Sequence, residues 1–233
     1  MAVKLLIAIP NYRDSVPGKV LDSFVRLTVH LARRFAPGEL QYMRVGLMYI
    51  DIVRSKIWNH ARECGAENLL CLDDDMTFTP ETFDIVWNTP GDVVGALAFL
   101  RREPPTTPSM YRRAADGSYN PILTYRYNDV VPVDAVGMAF TLIRKPVIDA
   151  LPAPFVRDSA KGEDIIFCER AKAAGFSVVV NTAAKCGHLY TYPFEINEAN
   201  AGGSVDDLYR SLDPATPPLT NGFPRPAEDD PGQ

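Results

Sequence analysis

The stretch Leu69-Leu70-Cys71-Leu72-Asp73-Asp74-Asp75-Met76 sets four strand-compatible apolar residues directly against three carboxylates. A short apolar run of this kind reads as a strand buried on both faces. Three adjacent acids at its end repel one another unless a bound cation or full solvation relieves them. Ligands of open α/β sheets bind outside the carboxyl ends of strands, which is where this cluster falls. In an extended segment Asp73 and Asp75 point the same way, so one can touch a metal while the other meets it or a ribose. A lone D-x-D occurs by chance in many chains, and the strand before it is what gives this one weight. The plain alternative is a solvated turn that favours the next helix.

Outward from that point the chain alternates between two periods. Residues 4–9 are another continuous apolar run, ended by Pro10. Pro17 suits a first helical turn, and Val20, Phe24, Leu27 and Leu31 recur at helical spacing up to Pro37-Gly38. Residues 44–50 (RVGLMYI) read as a second strand, and residues 52–64 as a helix stopped by Gly65. Thr79-Pro80-Glu81 combines a capping hydroxyl, a first-turn proline and an acid beside the positive helix end. Pro90-Gly91 closes that helix before a fourth strand, Val93 to Phe99. The β-α-β-α-β-α-β order predicts a three-layer α/β/α sandwich around a mostly parallel sheet.

Beyond Leu100 the pattern breaks. Residues 101–120 are rich in proline and arginine and read as a long loop with a hairpin, of a length that is usually functional. Short strands are expected at 121–125, 130–134 and 138–143, a helix at 163–174 and a strand at 177–181. A single domain over residues 1–212 is expected, followed by a Pro-rich, disordered tail at 213–233.

The bulk properties narrow the class. At 233 residues, 46% hydrophobic and 23% charged, the chain matches an ordinary globular domain. A net charge of −5 leaves no global footprint for nucleic acid. No apolar run approaches the ~18 residues of a membrane span, and residues 3–9 are too short for a signal sequence, so a cytoplasmic protein is expected. Cys64, Cys71, Cys168 and Cys186 lack C-x-x-C spacing and read as unpaired core thiols.

Two later motifs carry chemistry. Gly162-Glu163-Asp164 opens a helix, and acids there are often only dipole partners. The functional reading makes Asp164 or Glu163 a general base. His30 and His60 lie within predicted helices, whereas His188 follows a strand in Cys186-Gly187-His188, where glycine permits close approach to a ligand. Imidazole beside carboxylates suits Mn²⁺, and Mg²⁺ less well.

The ordered set of strand-DDD, GED on a helix and GH after a strand resembles the GT-A glycosyltransferases, especially small family 2-like enzymes of bacteria and phages. The likeness covers most of residues 4–190 and implies a metal-dependent transfer from a nucleoside-diphosphate sugar, a UDP-sugar before a GDP-sugar, to a hydroxyl acceptor. It implies that Pro10, Asn11 and Tyr12 receive the base, that Arg54 and Asp74 approach the nucleotide, and that Gly137 lies under the donor sugar. Asp75 and His188 would hold Mn²⁺ or Mg²⁺, Asp73 would be shared between metal and ribose, and Arg101 would cover the diphosphate. Asp164, beside Glu163, would act as base in an inverting transfer. A glycan or small hydroxylated acceptor ranks first, and a protein or hydroxymethylated DNA behind it.

Three rivals remain. A haloacid-dehalogenase-like phosphatase would use Asp73 as nucleophile and Asp75 as acid/base, but that motif normally opens the first strand. A sugar nucleotidyltransferase should carry a glycine-rich loop where this chain has Pro10-Asn11-Tyr12-Arg13. The third is a glycan-binding protein without turnover.

Overall fold

The computed structural model describes residues 2–11, 15–156, 158 and 160–190, with the backbone alone at Glu195–Ile196. Tyr12 and the expected tail at 213–233 lie outside the described residues.

Four strands and three helices alternate first: β1 (Leu5–Asn11), α1 (Gly18–Leu31), β2 (Leu40–Gly46), α2 (Ile50–Glu63) and β3 (Asn68–Leu72), then, after the two-residue strand β4 (Met76–Thr77), α3 (Pro80–Asn88) and β5 (Val93–Leu97). The second half adds β6 (Met110–Arg113), β7 (Tyr119–Pro121), β8 (Val130–Pro132), β9 (Ala135–Val136) and β10 (Phe140–Arg144). After α4 (Lys145–Ala150) and α5 (Glu163–Ala173) come β11 (Val178–Lys185), β12 (Gly187–Leu189) and β13 (Glu195–Ile196).

Seven described strands form the main sheet in the order β2-β1-β3-β10-β5-β11-β8. The pairs β2–β1, β1–β3 and β5–β11 are parallel, while β10 inserts antiparallel between β3 and β5 and β8 closes the far edge antiparallel. The mostly parallel sandwich read from the sequence is therefore present. β10 enters its centre from far along the chain, which local periodicity cannot foresee.

Side chains alternate across each central strand and feed two cores. Leu6, Ala8, Leu69 and Cys71 pack with Val53, Ile57 and Trp58 of α2 and Phe167 of α5. Leu5, Ile7, Leu70 and Leu72 pack on the other face with Leu27 and Leu31 of α1 and Phe83 of α3. Trp58 anchors the first core: it is fully buried, donates its indole N–H to Leu151 O at 2.8 Å, and meets Phe155 and Phe167 edge-on. No two of the four cysteines are joined in a disulfide.

The boundaries depart from the sequence reading where neighbours decide. The strand expected at 44–50 runs instead over Leu40–Gly46, in register with Leu5–Asn11 of β1. Leu47, at φ 60°, turns the chain away, and Leu47, Tyr49 and Ile50 are exposed. The strands expected at 121–125 and 138–143 lie at Tyr119–Pro121 and Phe140–Arg144, and the segment 130–134 holds only Val130–Pro132 before β9. β6 and β7 supply the hairpin expected in the 101–120 loop.

Candidate functional site

The carboxyl ends of β1 and β3 open onto a cavity of about 560 Å³, within the usual range for small-ligand sites. Pro10, Asn11, Arg54, Asp73, Asp74, Asp75, Arg101 and His188 all line it. The sequence reading missed its apolar wall, Met48, Tyr49 and Ile50 with Val53. Their signal was misleading, because an apolar run that lines an open cavity looks like one that faces a core.

Backbone pairing places the acids. Asp73 N–H donates to Ala139 O at 3.0 Å as β3 ends, and the chain turns into β4. β12 pairs antiparallel with β4, His188 opposite Met76, and Leu189 N–H donates to Asp75 O at 2.9 Å. That pairing brings His188 to Asp75 from more than a hundred residues away: Nε2 lies 3.2 Å from Asp75 Oδ1. The other imidazole nitrogen, Nδ1, is 2.7 Å from Phe99 O. A carbonyl can only accept, so Nδ1 carries the proton and Nε2 is the atom turned to the site. Asp75 Oδ2 accepts from Arg101 Nη1 at 3.0 Å.

These neighbours set the charges. Burial works to raise the Asp75 carboxyl, but the His188 hydrogen bond and the His188 and Arg101 charges hold it below the ordinary value. Burial disfavours imidazolium at His188, yet Asp75 outweighs it and the pKa is raised. Asp74 is pushed up by burial and by its two acidic neighbours, although Asn11 Nδ2 donates to its Oδ2 at 2.6 Å. Asn11 itself is buried and receives Arg44 Nη1 on its Oδ1 at 3.0 Å. Its backbone leaves room only for glycine opposite: a Cβ on Gly46 would lie 2.2 Å from Asn11 O.

Arg54 ties this cavity to the start of α5. It is 4% exposed, donates from Nη2 to Asp73 Oδ1 at 3.1 Å and from Nε to Glu163 Oε1 at 2.9 Å. Burial opposes its charge, but Asp73, Glu163 and Asp164 together raise its pKa. Beyond Glu163 stands Asp164, whose carboxyl is pushed up to about 6 by burial and then by the Glu163 charge. Asp164 Oδ1 accepts the Ile165 N–H at 2.8 Å. Neither Glu163 nor Asp164 lines the cavity, and Arg54 is their link to it; a carboxyl titrating near neutrality is suited to proton transfer.

The expected metal set is assembled only in part. Among the described residues no three His, Cys, Asp or Glu side chains converge as a metal cage. Asp75 and His188 are together, but Asp73 faces Arg54. With Nδ1–H fixed on a carbonyl, the carboxylate–imidazole pair fits a divalent cation as a half-site, its remaining positions left to ligand oxygens and water. Gly137, expected beneath the donor sugar, does not line the cavity; it lies beside Ser109 and Asp164.

No protein-family model and no curated protein matches the chain in sequence. Solved structures match in shape. A197 from STIV superposes with a TM-score of 0.59 at 16% identity, covering 84% of this chain and 91% of its own. GalNAc-T7, crystallised with UDP, GalNAc and Mn²⁺, gives 0.52 at 8% identity over 87% of this chain, which spans 45% of that protein's length. The fold is GT-A-like, a Rossmann-type α/β sandwich.

Proposed function

We propose that this chain is a metal-dependent glycosyltransferase that moves a sugar from a nucleoside-diphosphate sugar to an acceptor hydroxyl with inversion. The observation that carries the reading is the cavity itself. It gathers Pro10, Asn11, the three aspartates, Arg54, Arg101 and His188 at the strand ends of a GT-A-like sheet, with Asp164 tied to it through Arg54 and Glu163.

Each group then has a task. Tyr49, Met48 and Ile50 offer an apolar wall for a nucleobase, and Asp74, oriented by Asn11, accepts from a ribose hydroxyl. Asp75 and His188 would hold Mn²⁺ or Mg²⁺, which neutralises charge on the leaving diphosphate. Arg101, half-exposed and already at Asp75, is placed to move onto the diphosphate when donor enters. Arg54 holds Asp73 and Glu163 in fixed relation, so the donor site and the base keep their spacing. Asp164 takes the proton of the attacking hydroxyl. UDP, the nucleotide in the GalNAc-T7 structure, is the favoured carrier over GDP. A glycan or small hydroxylated molecule is the favoured acceptor. No observation favours the phosphatase, because its would-be nucleophile Asp73 is ion-paired with a buried arginine.

The test is proton NMR of the protein with Mn²⁺ and a panel of UDP- and GDP-sugars. Release of nucleoside diphosphate with a product of opposite anomeric configuration supports the reading. Retained configuration removes Asp164 as the inverting base, and no consumption of any sugar nucleotide overturns transferase activity.

A further inference from the structure

The two outer strands of the main sheet are not alike. At one edge β8 is three residues long and ends in Pro132. Short strands and proline are common ways to keep a sheet edge from pairing further. At the other edge β2 runs for seven residues without proline, and Arg44 is its only charged residue. Its register with β1 is unbroken from Leu40 to Gly46. Among the described residues no strand pairs with its outer side. β2 is thus a long, regular edge open to one more strand.

The helix beside that edge is open in the same direction. Thr28 Oγ1 of α1 shares a hydrogen bond with Tyr42 Oη of β2 at 2.9 Å, while His30 Nε2 lies 3.0 Å from Asp84 Oδ1 of α3. Those contacts fix which flank of α1 looks past β2 and which looks inward along the sheet. Leu21 and Val25, seven and three residues before Thr28, share its flank, and Val29 continues the row one turn on. All three are 53% exposed, and Tyr42 carries the apolar surface onto β2. The core face of α1 is made by other residues, Val20, Phe24, Leu27 and Leu31. The row is a second apolar face, which solvation does not explain.

Its rim suits a copy of itself. Asp22 and Arg26 stand exposed one turn apart beside the row, and among the described residues neither side chain forms an ion pair. An antiparallel pair of α1 helices centred near Val25 sets Leu21 of each copy against Val29 of the other. It also sets Asp22 of each beside Arg26 of the other, so each acid finds a base twice over. The same two-fold axis runs β2 antiparallel to β2, which gives both open edges a backbone partner. A lipid surface would offer those backbone groups no such partner. We propose that this face binds a second copy of the chain, edge to edge, as a two-fold dimer with a continuous sheet. The proposal does not depend on the transferase reading. The joined strands run in opposite directions, so the two cavities open at opposite ends of the shared sheet.

Light scattering after size-exclusion chromatography of the full chain tests it. Wild type should show twice the 25.8 kDa of one chain. Val25→Asp enters the interface twice by symmetry and should weaken association by roughly a hundredfold, with circular dichroism unchanged. Leu123→Asp, an exposed residue outside α1 and β2, should remain dimeric. Asp22→Arg and Arg26→Asp should each weaken association by roughly tenfold, and the two together should restore it. Should Val25→Asp fail to fold, the exposed charge pair decides alone. A wild-type monomer at about 100 µM overturns the proposal, whatever else covers the face. So does a dimer that survives a folded Val25→Asp, or a double charge variant no better than the single ones.

Discussion

Arg54 with Asp73 and Glu163, and Arg101 with Asp75 and His188, use almost the same ingredients to opposite ends. In the first group the arginine side chain is 5% exposed and both bonds run to different elements, β3's end and α5's start. In the second the arginine side chain is 42% exposed and its carboxylate is shared with an imidazole. Burial makes the first pairing rigid, because removing one partner strands a charge in low dielectric. Exposure makes the second exchangeable, since a surface pair is worth little in water and a ligand can replace it. One knot is fixed by burial, and the other is open to exchange.

Breaking the chemistry beside the buried knot has the largest expected effect. Asp164→Asn keeps size but removes the proposed base, so transfer should fall by roughly 10²–10⁴-fold with nucleotide affinity little changed. An equal loss of nucleotide affinity would place Asp164 in the donor site instead. Next comes the knot itself. Arg54→Ala should cost on the order of 3 kcal/mol by leaving Asp73 and Glu163 without their cation, read as a lowered urea midpoint. Arg101→Ala should leave that midpoint within about 0.5 kcal/mol. Equal effects of the two substitutions would erase the contrast between the buried and the exposed arginine.

Protonation sharpens it further. As the proposed base Asp164 must be ionised to act, so kcat/KM should fall about tenfold per pH unit below about 6. A flat profile from pH 5 to 7 would remove it as base. The same raised pKa has a stability consequence of known sign. Between 3.8 and about 6 the folded chain binds the Asp164 proton more tightly than the unfolded chain, so stability declines as pH rises through that window. Asp164→Asn should therefore gain about 1 kcal/mol at pH 8, discounted for partial exposure, or roughly 2–4 °C in Tm. Below pH 4 the gain should vanish; a gain that is the same at both pH values would mean burial is not the cause.

The legible parts of the molecule are those that local physics controls. β3 and its three acids, the proline-led starts of α1 and α3 and the stop after α5 follow from side chains a few residues apart. Most cavity residues were legible because they lie at strand ends, where an open α/β sheet binds ligands. What was hidden is non-local. The entry of β10 into the sheet centre, and the β4–β12 pairing that carries His188 to Asp75, depend on partners far along the chain. The lip at Met48–Ile50 was hidden for another reason: apolar residues in sequence do not say whether they enter a core or line an open cavity. Asp73, expected from the family resemblance to be shared between metal and ribose, gives its Oδ1 to a buried arginine on α2, a pairing that residues so far apart in sequence do not announce.

The central claim is that Asp75 and His188 form half of a metal site on which a nucleoside diphosphate completes the coordination. Thermal unfolding with UDP and with GDP, each with and without Mn²⁺, tests it on wild type and Asp75→Ala. A nucleotide at about a hundredfold excess over its Kd adds roughly 2.7 kcal/mol, a readily visible rise in Tm. The expected result is a rise that needs both UDP and Mn²⁺ and is lost in Asp75→Ala. A rise that ignores Mn²⁺ or survives Asp75→Ala would contradict the metal half-site, and no rise with either nucleotide would contradict the donor site altogether.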